Sequence, residues 1–120
     1  MSTKKIGKLG EDLAVSYLEN KGYRVLERNY SIRAGEVDII ALDSGVLVFV
    51  EVKARSGLGF GAPFEAVTYK KQQQIAKAAL FYLSEHDLHN HEARFDVVSV
   101  MIHDLKTPKI DLIKNAFELN

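Results

Sequence analysis

Asp38 and Glu51 are carboxylates set into runs that otherwise read as buried strands, and Lys53 follows two residues after the second of them. The runs are Gly35-Glu36-Val37-Asp38-Ile39-Ile40-Ala41 and Val48-Phe49-Val50-Glu51-Val52-Lys53, joined by a short turn around Ser44-Gly45. Period-two alternation places Glu36, Asp38, Ile40 and Leu42 on one face of the first strand. It places Leu47, Phe49, Glu51 and Lys53 on one face of the second, so each face is apolar near the turn and charged at its far end. A two-residue hairpin turn pairs Leu42 with Leu47 and, continued outward, sets Asp38 opposite Glu51 and Glu36 opposite Lys53. Opposed side chains have Cβ atoms roughly 4.5–5.5 Å apart, where two carboxylates repel unless a proton or a cation lies between them. The spacing predicts a divalent-cation site.

The chemistry that such a set supports is phosphodiester hydrolysis, which needs a metal on the phosphate, a water made nucleophilic near neutral pH, and positive charge for the transition state. Magnesium or manganese, as a hard cation, takes carboxylate and carbonyl oxygens. Asp38 and Glu51 supply the carboxylates and the backbone carbonyl of Val52 lies between them. Lys53, about 6.5–7 Å beyond Glu51 on the same face, is placed to orient the water or stabilise the pentavalent phosphate.

The elements that must position these residues are legible in the patterning. Ile6, Leu9, Leu13, Ala14, Tyr17 and Leu18 recur at helical spacing, which predicts a helix over 4–20 stopped by Gly22. Residues 23–30 read as a first strand, with the hairpin after them. The glycine-rich stretch 55–63 reads as irregular, and its Gly57, Gly59 and Gly61 suggest a loop that closes beside the site. No Lys-Ser/Thr pair follows those glycines, which argues against a nucleotide-binding loop. Phe60 and Phe64 in and after it could stack on an unpaired base or pack in the core. A second helix is predicted over 68–84, with Thr68 as N-cap and Ile75, Ala76, Ala79, Leu80 and Leu83 on one stripe. Residues 94–102 read as a strand, 104–108 as a turn and 109–113 as a short closing strand. The order helix, three strands, helix, two strands predicts an α/β fold in three layers, a central sheet with a helix on each side, and the acidic pair opening at the sheet's edge.

At 120 residues and 47% hydrophobic, the chain is expected to be a single domain over 1–120 with a real core. It contains no cysteine, which excludes disulfides, thiolate metal sites and a thiol nucleophile, so a metal must be held by oxygen or imidazole. No run is apolar enough for a membrane helix and the N-terminus is charged rather than signal-like, so a cytoplasmic, soluble protein with no membrane partner is expected. The formal net charge is zero. Lys53, Arg55, Lys70, Lys71 and Lys77 nevertheless outnumber the acids in their own stretch, a local excess suited to following a phosphate backbone.

Asp38, twelve intervening residues and then Glu51-Val52-Lys53 resembles the PD-(D/E)xK nuclease signature, with Val37 standing where the signature's name has proline. Together with Gly10-Glu11, Gly35-Glu36-Val37-Asp38 and Phe49-Val50-Glu51-Val52-Lys53, the chain resembles the YraN-like family of predicted endonucleases, itself similar to archaeal Holliday-junction resolvases. The resemblance implies a restriction-endonuclease-like fold and magnesium-dependent cleavage of DNA. It implies that Asp38 and Glu51 bind metal, that Lys53 is the catalytic lysine, and that Glu11 is the helix-borne glutamate of the site. It places an amide from Gln72, Gln73 or Gln74 near the site, and Arg55, Lys70, Lys71 and Gln72 are the nucleic-acid contacts expected. A homodimer would suit cleavage of a four-way junction, which takes two active sites about a two-fold axis. The alternative is a nucleic-acid-binding module on the same fold that does not cut.

Other polar groups read as structural. His86, His89 and His91 follow a helix end in a polar segment and read as loop. Arg94 and Asp96, on one face of a strand about Phe95, read as a salt bridge.

Overall fold

The computed structural model describes residues 2–56, 67–103 and 106–118. Helix α1 spans Thr3–Asn20, where the Ser2 side chain caps the first turn by accepting from the Lys5 N–H at 3.2 Å. It ends in a Schellman turn: Gly22 N–H donates to Glu19 O and Tyr23 N–H to Leu18 O, with Gly22 at a φ of 94°. Helix α2 spans Tyr69–Glu85 and starts on Thr68, whose hydroxyl accepts from the Lys71 N–H. Both helices thus begin within one residue of their expected starts.

Strands β1 (Arg24–Ile32), β2 (Gly35–Asp43), β3 (Val46–Ser56), β4 (Ala93–Ile102) and β5 (Lys109–Phe117) form one sheet in the order β1-β2-β3-β4-β5. All neighbours are antiparallel except β3 and β4, which are parallel and joined through α2. Ser44 and Gly45 both have positive φ, 51° and 87°, the two-residue turn whose twist suits a hairpin. The expected register follows, from Asp43 opposite Val46 to Ile39 opposite Val50.

One face of the sheet buries Ile39, Ala41, Val48, Val50, Val98 and Val100 against Ile6, Ala14 and Leu18 of α1. The other buries Val37, Ile40, Leu47, Phe49, Phe95 and Val97 against Ile75, Ala78, Ala79 and Tyr82 of α2. The α/β architecture in three layers is therefore as expected. Three expectations need correction. Arg55 and Ser56 belong to β3 rather than to an irregular loop, and β5 runs to Phe117, where an alternation too weak to read after Ile113 is sustained by pairing with β4. The acidic pair lies between two interior strands, just beyond the end of their shared ladder, not at a sheet edge. Gly57, Gly59, Phe60, Gly61 and Phe64 lie outside the described residues.

At the hairpin-turn end, fully buried Asp96 accepts from Tyr23 Oη (3.0 Å), Arg94 Nε (3.0 Å) and the Asn115 N–H (2.9 Å). Arg94 also donates to Asp43 at 2.6 Å. The Arg94–Asp96 salt bridge is thus part of a network tying the start of β1, the hairpin, β4 and β5. Burial works against the charge of Arg94, but the hydrogen bonds it donates to Asp96 and Asp43 outweigh that and raise its pKa above the ordinary value. His86 caps α2 with its ring stacked on Tyr82, and His91 sits in the turn before β4.

Two glycines set how closely the helices approach. A Cβ on Gly10 would lie 2.3 Å from the Cβ of Ala54, and one on Gly35 would lie 2.0 Å from the carbonyl oxygen of Gln74. Gly7, one turn before Gly10, has nothing within 4 Å of its Cβ position. Replacing Gly7 by Ala should therefore stabilise the protein by about 0.5–1 kcal/mol through helix propensity. Gly10→Ala should reverse that sign and cost about 1–3 kcal/mol through overpacking. Urea unfolding of the two variants beside the wild type checks this; equal shifts would mean that α1 does not press on β3 at Gly10.

Candidate functional site

The β2–β3 ladder stops at Ile39 and Val50 although the strands run on to Gly35 and Ser56. At the next bonding position the Val52 N–H, which in a regular ladder would find a carbonyl of β2, donates instead to Asp38 Oδ2 at 2.8 Å. A carboxylate has taken the place of a backbone acceptor. Within one strand residue the N–H and C=O point to the same side, so the Val52 carbonyl also faces the gap that opens between β2 and β3.

Side-chain alternation changes phase at the same level. Arg28 reaches the α1 side, where it binds Glu11 and Asp12, and Asn29 also turns to Glu11, while Tyr30 packs on the α2 side. Ile39 lies in the α1-side core and Val37 in the α2-side core, with Asp38 between them. Asn29, between the pairs Arg28–Ile39 and Tyr30–Val37 and hence opposite Asp38, adopts a φ of 54°. That left-handed step in β1 keeps the two strands in phase across the kink. It also corrects the expected pairing of Glu36 with Lys53. Glu36 lines a cavity on the α1 side together with Glu11, Asn29, Asp38 and Val52. Lys53 lines a cleft on the α2 side with Glu51, Arg55, Thr68 and Lys71. Asp38 borders both spaces.

Glu51 is buried, 6% exposed, on the α2 side. Burial first, then a hydrogen bond and charge repulsion from Asp38, push its carboxyl up to about 8, against the opposing pull of Lys71 and Lys53. Lys71 Nζ stands 3.7 Å from Glu51 Oε2. The predicted opposition of Asp38 and Glu51 is therefore present as two interacting carboxylates, one exposed to both cavities and one enclosed.

Glu11 is brought to the site from α1. Its Oε1 accepts from Arg28 Nε at 2.9 Å and from Asn29 Nδ2 at 3.0 Å. No three His, Asp or Glu side chains among the described residues already form a cage for a metal ion. The oxygen donors at the gap are the Asp38 and Glu51 carboxylates and the Val52 carbonyl, with Glu11 in the adjoining cavity. An incomplete, all-oxygen set of this kind fits a hard divalent cation that keeps several of its waters.

Of the expected nucleic-acid contacts, Arg55 and Lys71 line the cleft beside Glu51. Lys70 is exposed and does not line that cleft. Gln72 donates its side-chain amide to Val67 O at 2.8 Å, securing the chain as it enters α2 rather than reaching the carboxylates. Asn29 and Arg28 are the site residues that sequence reasoning missed. The only available signal was an Asn inside a strand pattern, a residue depleted from strands and tolerant of positive φ.

The description "Uncharacterised protein family UPF0102" matches residues 10–100, a span holding all of these side chains. A UPF0102 protein of Trichlorobacter lovleyi is 51% identical over 115 residues, covering 95% of this chain and 91% of the relative. One of Geobacter sulfurreducens is 51% identical over 116 residues, covering 97% and 91%. One of Persephonella marina is 47% identical over 114 residues, covering 95% and 94%.

The raised Glu51 carboxyl makes stability depend on pH. Between 4.5, its ordinary value, and about 8, the folded chain keeps a proton that the unfolded chain has released. Its contribution is therefore fully present below 4.5 and is lost as pH rises through that window. Urea unfolding in EDTA should show metal-free wild type weakening from pH 5 to pH 8, with Glu51→Gln markedly flatter. Identical slopes for the two would mean that Glu51 titrates normally.

Proposed function

We propose that this chain, which belongs to the uncharacterised protein family UPF0102, is a divalent-metal-dependent endodeoxyribonuclease with a restriction-endonuclease-like fold. Support comes first from Asp38 and Glu51, whose carboxylates interact where β2 and β3 part, with Lys53 beside them on β3. A pair of acids in mutual repulsion is a cost to the apo fold that a cation removes. The resemblance of Asp38 and Glu51-Val52-Lys53 to the PD-(D/E)xK signature points the same way, as does the similarity to archaeal Holliday-junction resolvases.

In this reading Asp38, Glu51 and the Val52 carbonyl hold magnesium or manganese, with Glu11 completing the set from α1. The metal, when bound, supplies charge neutralisation at the phosphate and a water activated near neutral pH. The chain's own groups do the rest. The hydrogen bond from Val52 N–H fixes the Asp38 carboxylate, leaving its other oxygen for the cation. Glu51 would give up its retained proton in order to hold the cation, and Lys71, 3.7 Å from it, would then be free for the phosphate. Lys53 orients the attacking water or stabilises the pentavalent phosphate, while Arg55 and Lys71 contact the flanking backbone. A cleft of about 510 Å³ between β3 and the start of α2 has room for a phosphate and the hydrated ion.

Branched DNA in repair or recombination is the substrate class suggested by the resolvase similarity, and a homodimer in the cytoplasm is the corresponding assembly. Among the described residues no helix is long and apolar enough to cross a membrane.

A cleavage panel tests this reading, using end-labelled four-way junction, flap, single-stranded and linear duplex DNA with magnesium, manganese or EDTA. Wild type should cut in either metal and not in EDTA. Asp38→Asn, which keeps an acceptor for the Val52 N–H but loses the charge, should lose at least about 100-fold in rate. It should remain as stable as wild type in EDTA, or more so. A wild-type rate in Asp38→Asn would overturn the assignment. Salt-sensitive binding without cleavage on every substrate would favour the non-cutting module.

A further inference from the structure

Glu11 could occupy its place in the α1-side cavity in many rotamers, since glutamate is long and the helix surface leaves its χ angles free. Among the described residues only one of its oxygens has a partner. Arg28 Nε and Asn29 Nδ2 both donate to Oε1, while Arg28 Nη2 reaches Asp12 Oδ1 at 2.6 Å. No described group donates to Oε2. The same cavity is lined by Asp38 and Val52.

Asn29 can do this because of its backbone. Its φ of 54° turns a residue in the middle of β1 out of the regular alternation, so that two successive side chains, Arg28 and Asn29, reach the same face and the same acceptor. Asparagine is among the few residues that take this conformation at low cost, and its amide supplies the donor. The kink lies opposite Asp38, so one local feature of β1 both accommodates the Asp38 turn and fastens the glutamate that faces it.

We propose that Asn29 is a positioning residue for the cation site: with Arg28 it holds one oxygen of Glu11 so that the other is presented to the cavity shared with Asp38. This rests on the proposed cation site. It adds a residue through which metal affinity is set without Asn29 itself touching the metal, in the way that partners hydrogen-bonded to ligands commonly do.

The test is titration calorimetry with calcium, which occupies oxygen sites without supporting rapid cleavage, on the full chain of wild type, Asn29→Gly, Glu11→Gln and the double variant. Glycine adopts φ near 54° freely, so Asn29→Gly keeps the kink and removes only the amide. Thermal unfolding in EDTA confirms that each variant is folded. Wild type should bind, and Asn29→Gly should bind about 10-fold more weakly. Adding Asn29→Gly to Glu11→Gln should cause no further loss, because the amide acts only through Glu11. Equal affinity in wild type and Asn29→Gly would overturn this inference and leave the nuclease reading standing. An additive loss in the double variant would likewise overturn the route through Glu11. A wild type that takes no cation would overturn the cation site and this inference together.

Discussion

Two carboxylates occupy one small space between β2 and β3, and the local structure is arranged around that fact. A continuous ladder would hold Asp38 and Glu51 side by side on one face with their charges unrelieved. Instead the ladder stops one pair earlier, Asp38 turns into the plane of the sheet to accept the Val52 N–H, and Glu51 stays enclosed on the α2 side with its proton held more tightly. The hydrogen bond replaces the one that the missing ladder step would have made, so parting the strands does not leave a buried N–H unsatisfied. The carbonyl of Val52 is released toward the gap by the same step.

A sheet tolerates such a break only where the rest of it is secured. The opposite end is closed by the two-residue turn at Ser44-Gly45 and by the Asp96 network, which joins Tyr23, Arg94, Asp43 and the backbone of β5. Two apolar cores, one under each helix, hold the sheet on both faces. Breaking a buried charge network by removing one partner is expensive, on the order of 3–5 kcal/mol. The molecule thus places a fully paired charge network at the end that holds the strands together and two interacting acids at the end where they part.

The helices reach this arrangement through close backbone approach. Gly10 lets α1 settle onto Ala54, which brings Glu11, the next residue, to the cavity over Asp38. Gly35 lets the carbonyl of Gln74 approach the start of β2, which brings the first turn of α2, with Thr68 and Lys71, beside Glu51. Each glycine precedes an acid in the sequence, and each marks where a helix is drawn against the sheet. The site therefore depends on the distance between layers as much as on its own side chains.

Helix limits, the hairpin register and the choice of Asp38, Glu51 and Lys53 were determined by the sequence alone, because capping residues, a Ser-Gly turn and the placing of charges in apolar strands are local signals. The same local rules misplaced Glu36 and overlooked Asn29. Strict alternation assumes a regular strand, whereas β1 and β2 shift phase together at Asn29 and Asp38, a change visible only when both strands and α1 are present. The family resemblance placed an amide from Gln72, Gln73 or Gln74 near the site, but the partner of Gln72, the carbonyl of Val67, depends on how the chain enters α2. The tertiary structure alone decided that the acids lie between interior strands, that Arg28 and Asn29 share one oxygen of Glu11, and that Lys71 rather than Lys70 faces Glu51. Pairing order, layer distance and the direction of a side chain at a kink are set by contacts between segments far apart in the chain, and no short stretch of residues encodes them.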